Sequence, residues 1–98
     1  MKRPERVKVL GRRFVIAYTK DTLEDGSMGE CDVAGHKVTI REGLEPDIER
    51  TIIIHEFFHV ISDLMGLNLS EKQVEGLETG WYALVRDNPG LARYLMRR

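Results

Sequence analysis

The sequence predicts an α+β domain in which a short antiparallel N-terminal sheet packs on a long helix that is followed by a second helix. Two observations predict this class. Up to Arg41, apolar and polar residues alternate in short runs, which is the period of strands with one buried face. After Pro46, apolar residues recur about every three to four positions, which is the period of helices. A chain of 98 residues buries one modest core, so we expect a single domain over residues 1–98.

The strands are predicted from three alternating segments. Residues 7–18, interrupted by Gly11, predict a hairpin. Residues 30–33 predict a short strand, and residues 36–41 alternate again. Between the hairpin and the short strand, residues 21–29 are rich in turn formers and predict an exposed loop.

The first helix is predicted from Pro46 to about Met65. Proline suits the first turn, where the missing N–H would have no partner in the helix, and Gly66 suits the position after the last turn. Asp47 and Glu49 then lie in the first turn, where negative side chains interact favourably with the helix dipole.

The second helix is predicted to begin after Ser70. Ser70 is a favourable N-cap, and Gln73 stands at the position that completes a capping box. The helix should end before residues 88–90, which read Asn-Pro-Gly, and residues 91–96 predict a last short helical piece.

Composition and charge limit which partners and which cellular compartment can be expected. Lysine and arginine number 15 against 16 aspartates and glutamates, a formal net charge of −1, so we expect no nucleic-acid partner. The longest apolar stretch, residues 52–61, is too short and too polar to span a bilayer, so we expect no membrane partner. The N-terminus has no signal-peptide pattern, and the single Cys31 cannot form an internal disulfide. We therefore expect a cytoplasmic protein.

The motif that carries chemistry is His55-Glu56-Phe57-Phe58-His59, or HExxH. Residues four apart on a helix project from the same face, so the two imidazoles can converge on one tetrahedral zinc ion. The glutamate after the first histidine then lies beside the open position of the metal, where it can take a proton from bound water. We therefore predict His55 and His59 as ligands and Glu56 as the catalytic residue.

The predicted helix concentrates its ionisable side chains in one stripe. A helical wheel at about 100° per residue separates that stripe from a broad apolar arc. Burial of ionisable groups without partners is costly, and a bound metal would give both histidines a partner. The alternative is that both histidines lie on the solvated side of an amphipathic helix. The members of the apolar arc are Ile53, Ile54, Phe57, Phe58, Val60, Ile61, Leu64 and Met65.

A third ligand should be a carboxylate, because no histidine follows His59. In an antiparallel helical hairpin, the residue level with His59 lies about six positions into the second helix. This favours Glu75 as the third zinc ligand, with Glu78 next and Glu71 for a wider crossing angle. Asp63 is a weaker candidate, better suited to supporting a ligand.

These residues resemble the gluzincin zinc metallopeptidases, in which HExxH is followed by a glutamate on the next helix. Residues 29–88, which include GECDVAGHKVTIREGL and the segment from TIIIHEFFHV to WYALVRDN, also resemble the small phage and bacterial proteins of the ImmA/IrrE-like metallopeptidase group. The resemblance implies a minimal zincin-like fold and hydrolysis of peptide bonds. It implies a peptide or protein substrate, which in some relatives is a repressor-like regulator.

Two other functions stay open. The chain can be a catalytically inactive zincin-fold module, in which zinc holds the two helices together for regulation or interaction. It can also be a metal-free interaction domain. The intact Glu56 favours the enzyme, because a structural zinc site does not need it.

The remaining groups that catalysis requires have weaker candidates. Tyr82, Tyr18 and His36 are candidates for stabilising the oxyanion. Residues 37–41 are the expected edge strand that pairs with an extended substrate. The alternative is that this strand is interior to the sheet.

Overall fold

A computed structural model describes residues 2–98 of the chain and confirms the α+β class. It contains a four-stranded sheet and three α-helices. The strands are β1 (Arg6–Val9), β2 (Arg12–Thr19), β3 (Gly29–Asp32) and β4 (Lys37–Arg41). The helices are α1 (Pro46–Met65), α2 (Glu71–Asp87) and α3 (Pro89–Leu95).

The sheet is mixed, and the prediction of an antiparallel sheet is wrong at one pairing. The strand order is β1-β2-β4-β3, with β2 and β4 parallel and the other two pairings antiparallel. Parallel neighbours need a long crossover. Residues 20–36 supply it, because the chain leaves β2, forms the outer strand β3 and returns as β4 between the two.

The core lies between the inner face of the sheet and α1. Phe14 and Ile16 of β2, Val38 and Ile40 of β4, and Val60 of α1 are all at most 2% exposed. Helix α1 contacts β3 and β4. Because Val60 directly follows His59, its burial in this core fixes the rotation of α1 and hence the direction of the histidine stripe.

The turn between α1 and α2 is held by specific hydrogen bonds. Gly66 ends α1 with a φ of 65°, and Leu67 N donates to Ser62 O at 2.9 Å. The buried Ser62 hydroxyl accepts from Leu69 N at 2.9 Å. This bond holds the chain just before α2 against the last turn of α1. The first turn of α2 therefore lies close to His59.

The start of α2 confirms the predicted capping box. Ser70 Oγ accepts from Gln73 N at 3.1 Å, and Gln73 Oε1 accepts from Ser70 N at 2.8 Å. These two bonds satisfy backbone donors that would have no partner inside the helix. They make residue 71 the first residue of α2.

Replacement of Ser62 tests the turn. We expect Ser62→Ala to lower the free energy of unfolding by about 1–3 kcal/mol, because the Leu69 N–H would lose its only buried acceptor. Urea unfolding followed by circular dichroism measures the change. The exposed residue Thr22 provides a control, since Thr22→Ala should leave the midpoint unchanged. Equal midpoints for both variants would contradict the role of Ser62.

Candidate metal centre

The two histidines of the motif converge on one point beside α1. His55 and His59 are half-buried, and their rings meet edge to face. Their Nε2 atoms are 3.2 Å apart. Two nitrogens that each lie about 2.0–2.1 Å from a tetrahedral zinc ion are separated by about 3.3 Å. The separation of the two nitrogens is therefore compatible with a shared metal ion.

Glu71 of α2 brings a carboxylate to both imidazoles. Its Oε1 lies 2.5 Å from His55 Nε2, and its Oε2 lies 3.2 Å from His59 Nε2. One ligand atom from each of the three residues lies within 4.8 Å of the others, so the group could hold a metal ion. Two imidazole nitrogens and one carboxylate oxygen are donors that suit a divalent transition metal.

Glu78 supports the first histidine from the opposite side of its ring. His55 Nδ1 donates to Glu78 Oε1 at 2.7 Å, and both side chains are 15% exposed. Histidines that bind metals usually donate their other ring N–H to such a carboxylate, which fixes the tautomer and the ring orientation. The contact leaves His55 Nε2 directed at His59 and Glu71.

Glu75, favoured from the sequence, lies near this group but outside it. It is exposed and lines the same cavity as the two histidines. The carboxylate that reaches both imidazoles is that of Glu71, because the turn places the first residue of α2 beside His59. Glu75 as a ligand stays a prediction. Asp63 is exposed at the end of α1.

Charge and burial act on His55 in opposite directions. Burial lowers the pKa of His55, but the hydrogen bond with Glu78 and the negative charges of Glu71 and Glu56 outweigh it and raise the pKa above its ordinary value. The carboxylates that stabilise the protonated imidazole would also attract a cation bound at this position.

Glu56 is buried between α1 and β3, although it carries an ionisable group. It is 7% exposed. Burial raises the pKa of Glu56, and the nearby charges of His55 and His59 oppose that rise. Burial likewise raises the pKa of the Cys31 thiol to about 11, with Glu56 adding to the effect. Cys31 is therefore a neutral neighbour of Glu56.

Gly29 allows β3 to approach the helix at this point. A Cβ atom added to Gly29 would lie 2.6 Å from Ile52 Cγ2 and 3.2 Å from Glu56 Oε2. The first strand residue of β3 therefore packs directly on the side chain of Glu56. The sequence places this glycine at the end of the predicted loop 21–29 and indicates no role for it. Its only local signal is its position directly before the predicted strand 30–33.

An open cavity of about 580 Å³ gives access to the group. His55, Glu56 and His59 form one wall, and the three glutamates of α2 form another. Residues 27–29 at the start of β3 complete the lining. The cavity thus combines the candidate metal ligands, the buried glutamate and the end of an edge strand.

Three residues predicted as oxyanion donors lie elsewhere. Tyr82 donates to Asp47 Oδ1 at 3.2 Å, and Tyr18 donates to the carbonyl oxygen of Pro4 at 2.7 Å. His36 stacks on Phe14 in the sheet. None of the three predicted donors lines the cavity. Their hydroxyl groups and ring have structural partners, so the geometry gives them no part in this site.

The expected substrate edge also requires correction. Residues 37–41 form β4, which has β2 on one side and β3 on the other, so its backbone groups are already paired. The edge strand beside the cavity is β3, because it pairs with β4 alone. The crossover that makes the sheet mixed is the physical reason for the difference.

Comparisons with known proteins found no matching family model, no matching curated protein and no matching solved structure. The resemblance to the ImmA/IrrE-like group therefore depends on the motif and its surroundings alone. Within residues 2–98, no helix has the length and apolar character needed to cross a membrane.

The close approach of β3 to α1 predicts opposite effects for two glycine substitutions. Gly29→Ala should lower the free energy of unfolding by about 1–3 kcal/mol, because the new methyl group would overlap Ile52. Gly76→Ala is the control. Its added Cβ has no neighbour within 4 Å, and alanine should stabilise α2 by about 0.5–1 kcal/mol. Denaturant unfolding measures both, and a stabilising Gly29→Ala would contradict the packing.

Proposed function

We propose that the chain is a zinc-dependent metallopeptidase that hydrolyses peptide bonds. His55, His59 and Glu71 hold the zinc ion, and Glu56 is the general base and acid. The observation that carries the proposal is the meeting of two imidazole Nε2 atoms and one carboxylate beside a buried glutamate of the same helix. A solvated histidine stripe would need none of these contacts.

The donor set supports zinc and leaves a coordination position open. Two histidines and a glutamate are a ligand set of zinc hydrolases, in which water takes the fourth position. Glu78 supports the choice because it orients His55 from Nδ1. Among the α2 carboxylates, Glu71 is preferred over Glu75 because it alone contacts both rings in the described residues.

The protein side of the mechanism centres on Glu56. Zinc bound at this site would lower the pKa of its water towards about 7 and polarise the substrate carbonyl. The Glu56 carboxylate takes a proton from water in the cavity, and the water oxygen forms a bond to the carbonyl carbon of the substrate. Glu56 then delivers the proton to the amide nitrogen as the C–N bond breaks and the amine leaves. Its burial against Gly29 fixes the carboxylate at one end of the cavity.

The substrate is proposed to be an extended segment of a peptide or protein. Strand β3 offers unpaired backbone groups along its outer edge, and its first residue lines the cavity. An extended chain paired with this edge would pass the candidate metal position. A minimal zincin-like fold and a repressor-like substrate remain part of the proposal, and they depend on the resemblance described above. A cytoplasmic location is also part of the proposal and depends on the single cysteine.

A structural zinc site is the second candidate, and one observation favours it. His55 contacts both Glu71 and Glu78, so the polar group already joins α1 to α2. A metal ion there would add to the stability of a small domain without catalysis. The buried Glu56 distinguishes the two functions, because only the enzyme needs its carboxylate.

Metal retention tests the ligands. Zinc binding, measured by competition with a chromophoric chelator, should weaken by about 100-fold or more in Glu71→Gln and by about 10- to 100-fold in Glu78→Gln. Glu75→Gln is the matched control on the same helix and should bind as the wild type does. A larger loss in Glu75→Gln than in Glu71→Gln would support the ligand predicted from the sequence. Failure of the wild type to bind zinc would exclude both functions.

Replacement of the general base separates catalysis from metal binding. Glu56→Gln should retain one zinc ion per chain but lose peptide cleavage by about 100-fold or more, because the amide cannot accept a proton. Cleavage is measured with a fluorogenic peptide library, and Asp63→Asn provides an exposed acidic control on α1. Equal cleavage by Glu56→Gln and wild type would identify a contaminating protease. A wild type that binds zinc and cleaves no peptide would favour the structural site.

A further inference from the structure

The outward face of the sheet is strongly cationic. Along β1, β2 and β4, side chains alternate between the core and this face, which lies opposite α1. Five basic residues project outward and are exposed. They are Arg6 and Lys8 of β1, Arg13 of β2, and Lys37 and Arg41 of β4.

The five basic side chains outnumber the carboxylates on their own face. None of the five forms an ion pair within residues 2–98. The outward carboxylates of the sheet belong to Glu30 and Asp32 on the far strand β3. Asp32 lies opposite Lys37 and partly offsets its charge, and Glu5 and Glu42 line the same cavity as Arg6. The net positive charge of the face is therefore concentrated at Lys8 and Arg13.

One pair on this face is unfavourable in the chain alone. Lys8 and Arg13 are directly opposite each other in the β1–β2 ladder. Like charges in that arrangement destabilise a sheet. An anion bound between them would convert the repulsion into attraction. The arrangement thus favours a negatively charged ligand over a purely solvated surface.

The uncharged residues of the face indicate what kind of anion fits. They are small or β-branched: Val15, Ala17 and Thr19 of β2, and Thr39 of β4. Protein–protein interfaces depend on buried aromatic or large anchoring side chains, and this face presents none within its strands. Contacts to phosphates need only cationic and small polar groups. The composition therefore favours a polyphosphate backbone over an acidic protein.

We propose that the outward face of the sheet binds the phosphate backbone of single-stranded nucleic acid without preference for base sequence. The cationic side chains are distributed over three β-strands. A flexible single-stranded nucleic acid can follow such a broad surface. No outward aromatic side chain is present on these strands to stack on bases, so the proposed binding consists of the sequence-independent contacts between cations and phosphates. Such binding departs from the expectation of no nucleic-acid partner, which was drawn from the net charge of −1. That net charge averages a cationic sheet with the acidic helices α1 and α2.

The binding should depend strongly on salt. Each phosphate neutralised on a single strand contributes a slope of about −0.7 to the plot of log affinity against log salt concentration. If three to five of the cations are engaged, the slope should lie between about −2 and −3.5. A slope near zero would show that the contacts are not made to phosphates and would overturn the proposal.

The experiment compares two charge-reversed variants of the full chain. Fluorescence anisotropy of a labelled oligo-dT 20-mer is measured from 20 to 200 mM KCl. Arg6→Glu with Arg13→Glu should weaken binding by about 10-fold or more, because it reverses the charge beside Lys8. Arg93→Glu with Arg98→Glu changes the net charge equally on the C-terminal segment and should bind within about twofold of wild type. Equal weakening in both variants would overturn the proposal.

Two further measurements keep the result unambiguous. The Arg6→Glu and Arg13→Glu variant should melt at or above the temperature of the wild type, since the glutamate at position 13 is directly opposite Lys8 and the one at position 6 lies two residues before it on the same strand. If the variant has this melting temperature, a loss of binding cannot be attributed to unfolding. Displacement of the oligonucleotide by poly-glutamate of equal length, or binding to phosphatidylserine vesicles with none to oligo-dT, would overturn the nucleic-acid assignment in favour of an acidic protein or a membrane.

Discussion

The imidazole of His55 joins the two long helices through polar contacts on both of its ring nitrogens. Its Nδ1 donates to Glu78, and its Nε2 faces Glu71 and His59. These contacts are possible only because the core side of α1 is fixed by Val60 and because the turn returns α2 to the same level. The candidate metal centre, the cavity and the position of Glu56 all depend on this alignment of α1 and α2.

The helices could be predicted from the sequence because their signals are local. Pro46, Gly66 and the capping box at Ser70 and Gln73 mark the ends through backbone chemistry that each residue carries itself. The strands were also found within about two residues. The order of the strands in the sheet could not be predicted. Alternation shows that a segment is a strand but does not show which strands pair with it. Insertion of β4 between β2 and β3 depends on contacts across the whole sheet.

The candidate site was also predictable only in part. The pairing of His55 with His59 follows from the period of one helix, and the structure brings both to one point. The carboxylate beside them depends on where a second helix starts, and an ideal hairpin places Glu75 there instead of Glu71. The hydrogen bond from Leu69 N to Ser62 Oγ decides this, and no local pattern reveals it. The role of Glu78 follows from the same placement, since it lies two turns after Glu71.

The open edge of β3 also bears on self-association. An unpaired strand edge is a template on which a second copy of the same chain can add, and such addition can continue into aggregates. Here the edge is four residues long, and Glu30 and Asp32 give it negative charge. Two copies of this edge would bring like charges together, which disfavours their pairing. An extended chain of neutral or positive character meets no such repulsion, so the edge discriminates against its own copies while it stays accessible to other peptides.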